Sequence, residues 1–503
     1  MQSNTVHDVV IVGSGFSGLG LAVTLARTED ISFTVLERAN NIGGTWRDNT
    51  YPGAACDIQS HLYSYSFAPN PDWSRVYATQ PEILAYLHDV AEKENVLPHI
   101  HFNAEMTEAT WDEVDSIWTV TSTAGIFRTR VLVTASGHLS DPKMPDTPGI
   151  NDFAGKIFHS ARWDHDVNLT GKRIGVVGTG ASAIQVIPEI AKSANKLTVF
   201  QRSAPYIIPR NDREYTDAEK GLFRKFPDAA QELRDELFWG NESRFPQRRQ
   251  VPAFIDQIKD TALTHLKNQV TDPELYHKVL PDYEIGCKRI LISNDYYPAL
   301  SKENVDLKSV SVEQVTESGV ITADGDHVEL DALVLCTGFE ASDLPIAYRI
   351  SGRDGRKLSE HWSTGGKAFA CTTVSGFPNL FVMLGPNTGL GAGSIIYMVE
   401  TQIQYIQQAI SFIKAELAVL EISTEVEDAF IDSVEERSRG TVWTEGGCAS
   451  WYVDPRSNRL TTLWPDFMSE FRAENGTFSP DPYQVRNIEA GARERHHKEQ
   501  SRI

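Results

Sequence analysis

The stretch VVIVGSGFSG, residues 9–18, decides the fold of this 503-residue chain. An apolar, β-branched run of the kind buried in parallel sheets leads straight into three glycines spaced as GxGxxG, and a helical apolar pattern follows. The sequence SFTVLER then predicts a second strand, with Glu37 near its end. Together these elements predict a complete βαβ unit of the Rossmann type with a right-handed crossover.

Gly13, Gly15 and Gly18 give this unit the features of a dinucleotide site. Glycines let the backbone approach a pyrophosphate, whose charge lies at the helix N-terminus. Glu37 would then accept hydrogen bonds from the two ribose hydroxyls. The alternative is a βαβ turn that binds nothing. It is disfavoured because the glycines follow a strand, open a helix and precede an acid at the next strand end.

The same unit returns later as RIGVVGTGASAIQVIPEIA followed by KLTVFQR, which ends at Arg202. Gly13 to Glu37 and Gly178 to Arg202 are each 24 residues apart, and Ala183 stands in place of the third glycine. A carboxylate at the strand end suits a free 2′-hydroxyl, whereas a guanidinium suits a 2′-phosphate. The first site is therefore expected to take FAD or NAD and the second NADP, the alternative being a surface arginine that caps a strand.

The repeat predicts an α/β fold with two Rossmann-like dinucleotide-binding domains rather than one large sheet. Helical apolar spacing replaces the strand pattern over about 214–282, which predicts a helical insertion. We expect an NADP domain over 151–340 and a discontinuous FAD domain over 1–150 and 341–503. The polar stretch from about Ala473 is expected to be a tail or a lid.

Composition favours a cytoplasmic protein without a nucleic-acid partner or a membrane span. The formal net charge is −21, which argues against binding nucleic acid. The five cysteines are scattered without a CxxC pair, so we expect a reducing compartment, no disulfide framework and no metal site. The sequence does not indicate the oligomeric state.

Residues 153–164, FAGKIFHSARWD, show no clean helix or strand period. They match FxGxxxHxxxW followed by Pro or Asp, the fingerprint of type I Baeyer–Villiger monooxygenases in the flavin-containing monooxygenase group. Residues 43–57, GGTWRDNTYPGAACD, match a second motif of that family. Further matches are CKR at 287–289, LCTGF at 335–339, LGPNTGLG at 384–391 and SWY at 450–452. The chain therefore resembles that family over nearly its whole length.

The resemblance implies an FAD- and NADPH-dependent monooxygenase that converts ketones to esters or lactones with dioxygen, through a C4a-peroxyflavin. Arg289 matches the active-site arginine and Asp57 the carboxylate that orients it. A fixed cation would keep the peroxide anionic and stabilise the oxyanion of the adduct. An Asp–Arg pair made only for structure is the competing interpretation. In the family, the His and Trp of the fingerprint couple nicotinamide binding to the flavin site, so residues 153–164 are expected to form a hinge between the domains.

The glycine patterns and the resemblance together assign the cofactor contacts. For FAD they are Gly13, Gly15, Phe16, Ser17, Gly18, Glu37, Arg38, Gly44, Thr45, Trp46, Asp57 and Tyr63. For NADP they are Gly178, Thr179, Gly180, Ser182, Ala183, Arg202, Ser203, Lys288, Arg289 and Trp451. The fingerprint residues are Phe153, Gly155, His159 and Trp163.

The chain departs from its relatives at two places. Ala392 and Gly393 stand where many relatives carry a His or Asn pair, and His138 stands where some carry Gln. The substrate range is therefore expected to differ from that of better-known members. The sequence does not indicate which ketone is used.

Three other functions share parts of this pattern. An N- or S-oxygenating flavin monooxygenase is the nearest alternative, but that chemistry has no need of Arg289 and Asp57. A flavin disulfide reductase needs a CxxC or CxxxxC pair, which the chain lacks. A redox-sensing protein that binds both dinucleotides without turnover is disfavoured by the intact motifs.

Overall fold

The computed structural model describes residues 5–488. In chain order the strands are β1 (Val6–Val12), β2 (Phe33–Leu36), β3 (Ile100–His101), β4 (Met106–Asp112), β5 (Ile117–Ser122), β6 (Gly125–Thr134), β7 (Lys156–His159), β8 (Arg173–Val177), β9 (Lys196–Phe200), β10 (Ile207–Ile208), β11 (Leu291–Ile292), β12 (Val305–Lys308), β13 (Val312–Thr316), β14 (Gly319–Thr322), β15 (His327–Glu329), β16 (Ala332–Leu335), β17 (Ile350–Ser351), β18 (Leu380–Val382), β19 (Ala418–Ile422), β20 (Val453–Asp454), β21 (Arg459–Leu460) and β22 (Tyr483–Asn487).

The α-helices are α1 (Phe16–Ala26), α2 (Thr45–Asp48), α3 (Gln80–Lys93), α4 (Ala183–Ile190), α5 (Asp217–Lys225), α6 (Pro227–Glu242), α7 (Phe245–Arg248), α8 (Pro252–Gln269), α9 (Pro273–Lys278), α10 (Tyr296–Leu300), α11 (Leu358–His361), α12 (Ile395–Glu416), α13 (Thr424–Ser438), α14 (Val442–Glu445) and α15 (Met468–Asn475). Short 3₁₀ turns lie at Leu97–His99, Ser160–Arg162, Pro345–Arg349 and Arg353–Gly355.

The first sheet has the strand order β17-β4-β5-β6-β1-β2-β3, and β18 pairs with the end of β6. At its centre Ile11 lies between Val35 of β2 and Val133 of β6, both in parallel register. Residues 9–11 are fully buried: Val9 and Ile11 share a buried cluster with residues of α1 and α12, whereas Val10 packs in a separate cluster that includes Leu358 and Trp362. This double cover explains the continuous apolar run that the sequence shows there. The carboxyl end of β1 opens directly into the first glycine turn.

The second sheet is wholly parallel, with the order β12-β9-β8-β16-β7. Strand β8 leads into the second glycine turn and then into α4, as the repeated sequence pattern predicts. A small antiparallel sheet of β13, β14 and β15 lies beside it. The expected α/β fold with two Rossmann-like halves is thus confirmed.

The helical insertion consists of α5 to α9, over residues 217–278. It begins with a capping box, in which the Thr216 hydroxyl accepts the Glu219 N–H and the Glu219 carboxylate accepts the Thr216 N–H. Proline occupies the first turn of α6, α7, α8 and α9, where its missing N–H leaves no intrahelical bond unmade. The insertion contacts the segment between α2 and α3 through Arg234, whose guanidinium donates to the His61 and Ser64 carbonyls at 2.7 and 3.0 Å.

The expectation of a tail or a lid from about Ala473 is wrong for the described part of that segment. Residues 473–475 end α15, and β22 pairs antiparallel with β19, with Val485 opposite Leu420. Tyr483 is buried and its hydroxyl bonds to Thr373. The rest of the expected tail, residues 489–503, lies outside the described residues. None of the helices between residues 5 and 488 has the length and hydropathy needed to cross a membrane.

Candidate active site

One connected cavity of about 1100 Å³ lies between the two sheets and receives both glycine turns. Nearly all predicted cofactor contacts line it; the exceptions are Gly18 and Ala183, the third positions of the two fingerprints. A Cβ on Gly18 would lie 1.9 Å from the Gly13 carbonyl oxygen, so this glycine serves helix–strand packing. The two turns, 165 residues apart in sequence, therefore serve a single cleft.

The first glycine turn fits a dinucleotide. Gly13 has φ +106°, and a Cβ there would lie 2.5 Å from the Ala135 carbonyl oxygen, so a side chain is excluded. Gly15 caps α1 without a side-chain hydrogen bond, which leaves the first N–H groups of that helix facing the cavity. A buried helix N-terminus of this kind is suited to a pyrophosphate.

Glu37 is buried and more heavily hydrogen-bonded than the sequence indicates. Its carboxylate accepts the Ser14 N–H and hydroxyl at 3.0 and 2.6 Å, the Ala39 N–H at 2.9 Å and Arg47 Nη1 at 2.8 Å. These four donors engage both oxygens, and Arg47 also pairs with Asp48 through Nε at 2.7 Å. A ribose hydroxyl could reach Glu37 only by replacing or sharing one of them.

Sequence reasoning missed Arg47 as part of this site. Its side chain is 13% exposed and it lies one residue after Trp46 in the GGTWR run, so its place in that motif was the available signal. Arg38, predicted to contact FAD, lines the cavity but bonds to Asp141 at 2.6 Å and to the Ser140 carbonyl at 2.9 Å.

The second glycine turn is more open. Gly178 has φ +107°, and a Cβ there would lie 2.5 Å from the Cys336 carbonyl oxygen. A Cβ on Gly180 would meet no described atom within 4 Å, which leaves space for a ligand against the backbone. Beyond the strand end, Lys288 Nζ donates to Ser203 Oγ at 2.8 Å.

Arg202 and Lys288 carry positive charge that no described carboxylate neutralises by an ion pair. Burial, together with the charge of Arg202, lowers the pKa of Lys288. Two adjacent cations beside a hydroxyl form a site that an anionic ligand completes. This arrangement fits the 2′-phosphate of NADP.

Arg289 and Asp57 form a two-pronged ion pair on the wall of the cavity. Arg289 Nε donates to Asp57 Oδ2 at 2.7 Å and Nη2 donates to Oδ1 at 2.8 Å, whereas Nη1 has no hydrogen-bond partner among the described residues. About a third of each side chain is exposed, and both residues line the cavity. Asp57 raises the pKa of Arg289, and although burial opposes ionisation of Asp57, Arg289 lowers the pKa of that carboxyl. Both groups stay charged across the neutral range.

The segment that carries Asp57 is held against the second sheet's helix α4. The Ala55 N–H donates to Gln185 Oε1 at 2.9 Å, and a Cβ on Gly53 would lie 2.7 Å from the Gln185 carbonyl oxygen. Arg210 Nη2 donates to the Cys56 carbonyl at 3.2 Å. Neither Gln185 nor Arg210 was singled out from sequence, because their roles depend on contacts between distant segments.

Trp451 lies at the mouth of the cavity, 43% exposed, with its ring centroid 5.9 Å from that of His138. His138 also lines the cavity, and burial lowers its pKa, so the imidazole is neutral there at pH 7. The two rings are tilted by 36° to each other, and His138 hydrogen-bonds to the backbone of Leu384 in the LGPNTGLG segment.

The fingerprint residues, by contrast, do not line the cavity. Contrary to the aperiodic pattern, residues 156–159 form β7, an edge strand too short to show a period. A Cβ on Gly155 would lie 2.5 Å from both the Asp331 carbonyl oxygen and the Phe153 ring. His159 Nδ1 accepts the Ala161 N–H at 3.1 Å, and burial lowers the pKa of His159 to about 4.

The expectation of no disulfide is wrong. Cys287 and Cys448 are joined, with Cα atoms 6.2 Å apart, and the free cysteines are Cys56, Cys336 and Cys371. The cysteines are 161 residues apart in sequence, so spacing carried no signal of the bond. In the described part of the chain no group of three or more potential metal ligands is found.

The chain is similar to known proteins over most of its length. The flavin-binding monooxygenase-like family matches residues 6–231. A Baeyer–Villiger monooxygenase of Streptomyces coelicolor is 45% identical, over 96% of this chain and 94% of that protein. One of Pseudomonas aeruginosa is 43% identical, over 95% and 91%. The structure of cyclohexanone monooxygenase from Rhodococcus sp. Phi1 bound to NADP⁺ gives a TM-score of 0.85 at 28% identity, covering 96% of this chain and 100% of that one.

Two dinucleotide turns that open into one cleft define a flavoprotein oxidoreductase with FAD and NADP(H) as cofactors. Within that class, the chain belongs to the Baeyer–Villiger monooxygenases of the flavin-binding monooxygenase family. The sequence-based prediction of family and cofactors is thereby confirmed.

Proposed function

We propose that this enzyme uses NADPH and dioxygen to insert one oxygen atom beside the carbonyl of a ketone, giving an ester or a lactone. The observation that carries the proposal is the Arg289–Asp57 pair in the cavity that both glycine turns enter. When bound, reduced FAD supplies the oxygen-transfer chemistry. We also propose that residues 1–150 with 341–503 form the FAD domain, that residues 151–340 form the NADP domain, and that the enzyme is cytoplasmic.

Arg289 is proposed to hold a permanent positive charge where negative charge develops on the substrate oxygen. A guanidinium cannot lose its proton at working pH, and Asp57 orients it through two of its nitrogens. The unpaired Nη1 is then available to a carbonyl oxygen that becomes an oxyanion. A cation preset in this way requires no reorganisation when the substrate reacts.

Glu37, with the first glycine turn, is proposed to fix the flavin dinucleotide, and Arg202, Ser203 and Lys288 to select NADPH. Trp451 is proposed to close the mouth of the cavity over the nicotinamide half of the cofactor. Apolar side chains form part of the cavity lining, which favours a ketone with a hydrocarbon body: Ile58, Leu390, Ile395, Val399 and Leu463.

The test is product analysis with a mixed panel of linear, cyclic and aryl ketones, together with amines and sulfides. Wild-type enzyme should consume NADPH and add one oxygen atom to ketones. Arg289→Ala should retain flavin but form ester at least about a hundredfold more slowly. Arg289→Lys should recover only part of the rate, because an ammonium lacks the planar fork.

Arg27→Ala is the matched control, since Arg27 makes the same two-pronged contact with Glu94 on the surface. It should leave the rate unchanged. Ester formation at the wild-type rate in Arg289→Ala would remove the proposed role. Heteroatom oxides without any ester from the wild type would favour the N- or S-oxygenating alternative.

A further inference from the structure

The first inference concerns Tyr283, which no motif singled out. Its ring is buried, lines the cavity, and lies under the Lys288 ammonium, with Nζ 4.6 Å from the ring centroid. The Tyr206 ring packs against it in a T-shaped arrangement, with the centroids 5.5 Å apart. The aromatic ring therefore has a fixed position when it meets the cation.

Lys288 depends on few contacts for its position. Its Nζ donates to Ser203 Oγ, and in the described chain no carboxylate forms an ion pair with it. The neighbouring charge of Arg202 repels it and contributes to lowering its pKa, whereas the charge of Asp282, which forms no ion pair with it, acts in the opposite direction. A π face attracts a cation without neutralising its charge, so Tyr283 can hold the ammonium in place while leaving it attractive to phosphate.

We propose that Tyr283 is a positioning residue for coenzyme selection, acting through Lys288 to favour NADPH over NADH. The inference rests on the proposed function of Lys288 as a 2′-phosphate contact. A carboxylate in place of the ring would also hold Lys288, but it would repel the phosphate. The aromatic ring holds Lys288 in place without repelling the phosphate.

The test compares kcat/KM for NADPH and NADH in holoenzymes. Tyr283→Phe keeps the ring and should leave the NADPH-to-NADH ratio within about twofold of wild type. Tyr283→Leu and Tyr283→Met remove the π face and should lower the ratio about fivefold to thirtyfold, with NADH kinetics little changed. Two aliphatic variants are used so that misfolding of one still leaves a measurement.

An equal change for both coenzymes, leaving the ratio unmoved, would show a merely structural role and overturn the inference. The inference would also be overturned if Tyr283→Phe lowered the NADPH-to-NADH ratio as much as Tyr283→Leu. A wild-type enzyme that oxidises neither coenzyme would instead refute the proposed function, so the two failures are distinguishable.

The second inference concerns the Cys287–Cys448 bond. Cys287 directly precedes Lys288 and Arg289, and Cys448 lies three residues before Trp451. The two segments pack closely: the Glu284 N–H donates to the Gly446 carbonyl at 3.1 Å, and a Cβ on Gly446 would lie 2.8 Å from Cys287 Cβ.

Apart from this bond, the segment 447–451 is weakly attached. Within the described residues its main chain makes one backbone–backbone hydrogen bond, from the Val453 N–H to the Ser450 carbonyl at 3.2 Å, and Cys287 Sγ lies 3.9 Å from the Cys448 carbonyl oxygen. Yet Ala449, Ser450 and Trp451 form part of the cavity wall. The disulfide is thus the covalent link that fixes this part of the wall to the segment bearing Arg289.

We infer that the Cys287–Cys448 pair is a redox-controlled link that holds the 447–451 wall in its NADPH-binding position when oxidised. Cys287 is fully buried and Cys448 partly exposed, so an external dithiol, small or protein-borne, meets Cys448 first. A thiolate of the dithiol forms a bond to the Cys448 sulfur and expels the Cys287 thiolate, which takes a proton. The second thiol of the dithiol then breaks the mixed disulfide and releases Cys448. The protein thus gains two electrons and two protons, and the reductant becomes a disulfide.

The first measurement is a thiol count on unfolded, unreduced protein. Three free thiols are expected, corresponding to Cys56, Cys336 and Cys371, and five would overturn the inference. The second is the KM for NADPH of the wild-type holoenzyme before and after dithiol treatment. If the freed wall spends a tenth to a third of its time in place, KM should rise about threefold to tenfold.

Cys448→Ser and Cys287→Ser should show the raised KM without treatment and no response to dithiol. Cys371→Ala, at a buried cysteine outside the pair, should respond as wild type does. An unchanged KM in wild-type enzyme that has passed from three thiols to five would overturn the inference. Because NADPH oxidation continues in that case, the proposed function would stand.

Discussion

The two glycine turns share a sequence pattern and differ in how their charge is balanced. At the first, the strand-end acid Glu37 is buried and neutralised by Arg47 within the protein. At the second, the strand-end Arg202 is exposed and joined by Lys288, with no described acid paired to either. The first site is electrically complete without a ligand, whereas the second is completed by one. The first arrangement suits a cofactor that stays bound, and the second suits one that exchanges at every turnover.

The sharpest test of this comparison places one methyl group in each turn. Gly13→Ala and Gly178→Ala meet the same obstacles, a φ above +100° and a carbonyl oxygen 2.5 Å from the new Cβ. Gly13→Ala should lose bound flavin altogether. Gly178→Ala should stay yellow but bind NADPH poorly. Flavin absorbance per protein and the NADPH KM measure the two effects, and equal flavin loss in both would contradict the comparison.

A smaller effect is expected from removing one arginine at each site. Arg47→Ala leaves the Glu37 charge buried without its cation and should cost about 3 kcal/mol of stability, seen as a lower Tm and slow flavin loss. Arg202→Ala should leave Tm unchanged and raise the NADPH KM about tenfold to hundredfold.

Salt provides the control for that pair of variants. At about 1 M salt, where the Debye length is about 3 Å, wild-type NADPH affinity should fall while flavin retention holds. The opposite pattern, flavin loss with unchanged NADPH affinity, would reverse the assignment of the two sites.

The smallest expected effect is a pH dependence confined to the second site. Because the pKa of Lys288 is lowered, its positive charge is lost earlier than usual as pH rises, and NADPH then has to restore the proton. The KM for NADPH should therefore rise a few-fold on the alkaline side while that for NADH stays flat. Lys288→Arg, which keeps its charge at high pH, should abolish the rise. Parallel profiles for the two coenzymes would refute this prediction.

Much of the fold followed from the sequence, because the glycine turns and their flanking strands are local patterns. The strands β1, β8 and β9 lie where apolar runs predict them. Strand β22 and the edge strand β7 were missed, since their pairing depends on distant partners rather than on a period of their own. The cysteines misled for the same reason: their scatter in sequence says nothing about their distance in space.

By itself the sequence determined that there are two dinucleotide-binding units and whether an acid or a base stands at the end of the second strand of each. It could do so because the glycine fingerprint and the strand-end residue lie within one βαβ unit. Only the tertiary structure decided what balances those charges. Arg47 folds back onto Glu37 ten residues earlier, whereas Arg289 reaches Asp57 across 232 residues and Cys287 meets Cys448 across 161, because distant loops come together at one cleft. The last two pairings depend on the path of the whole chain, which no local pattern encodes.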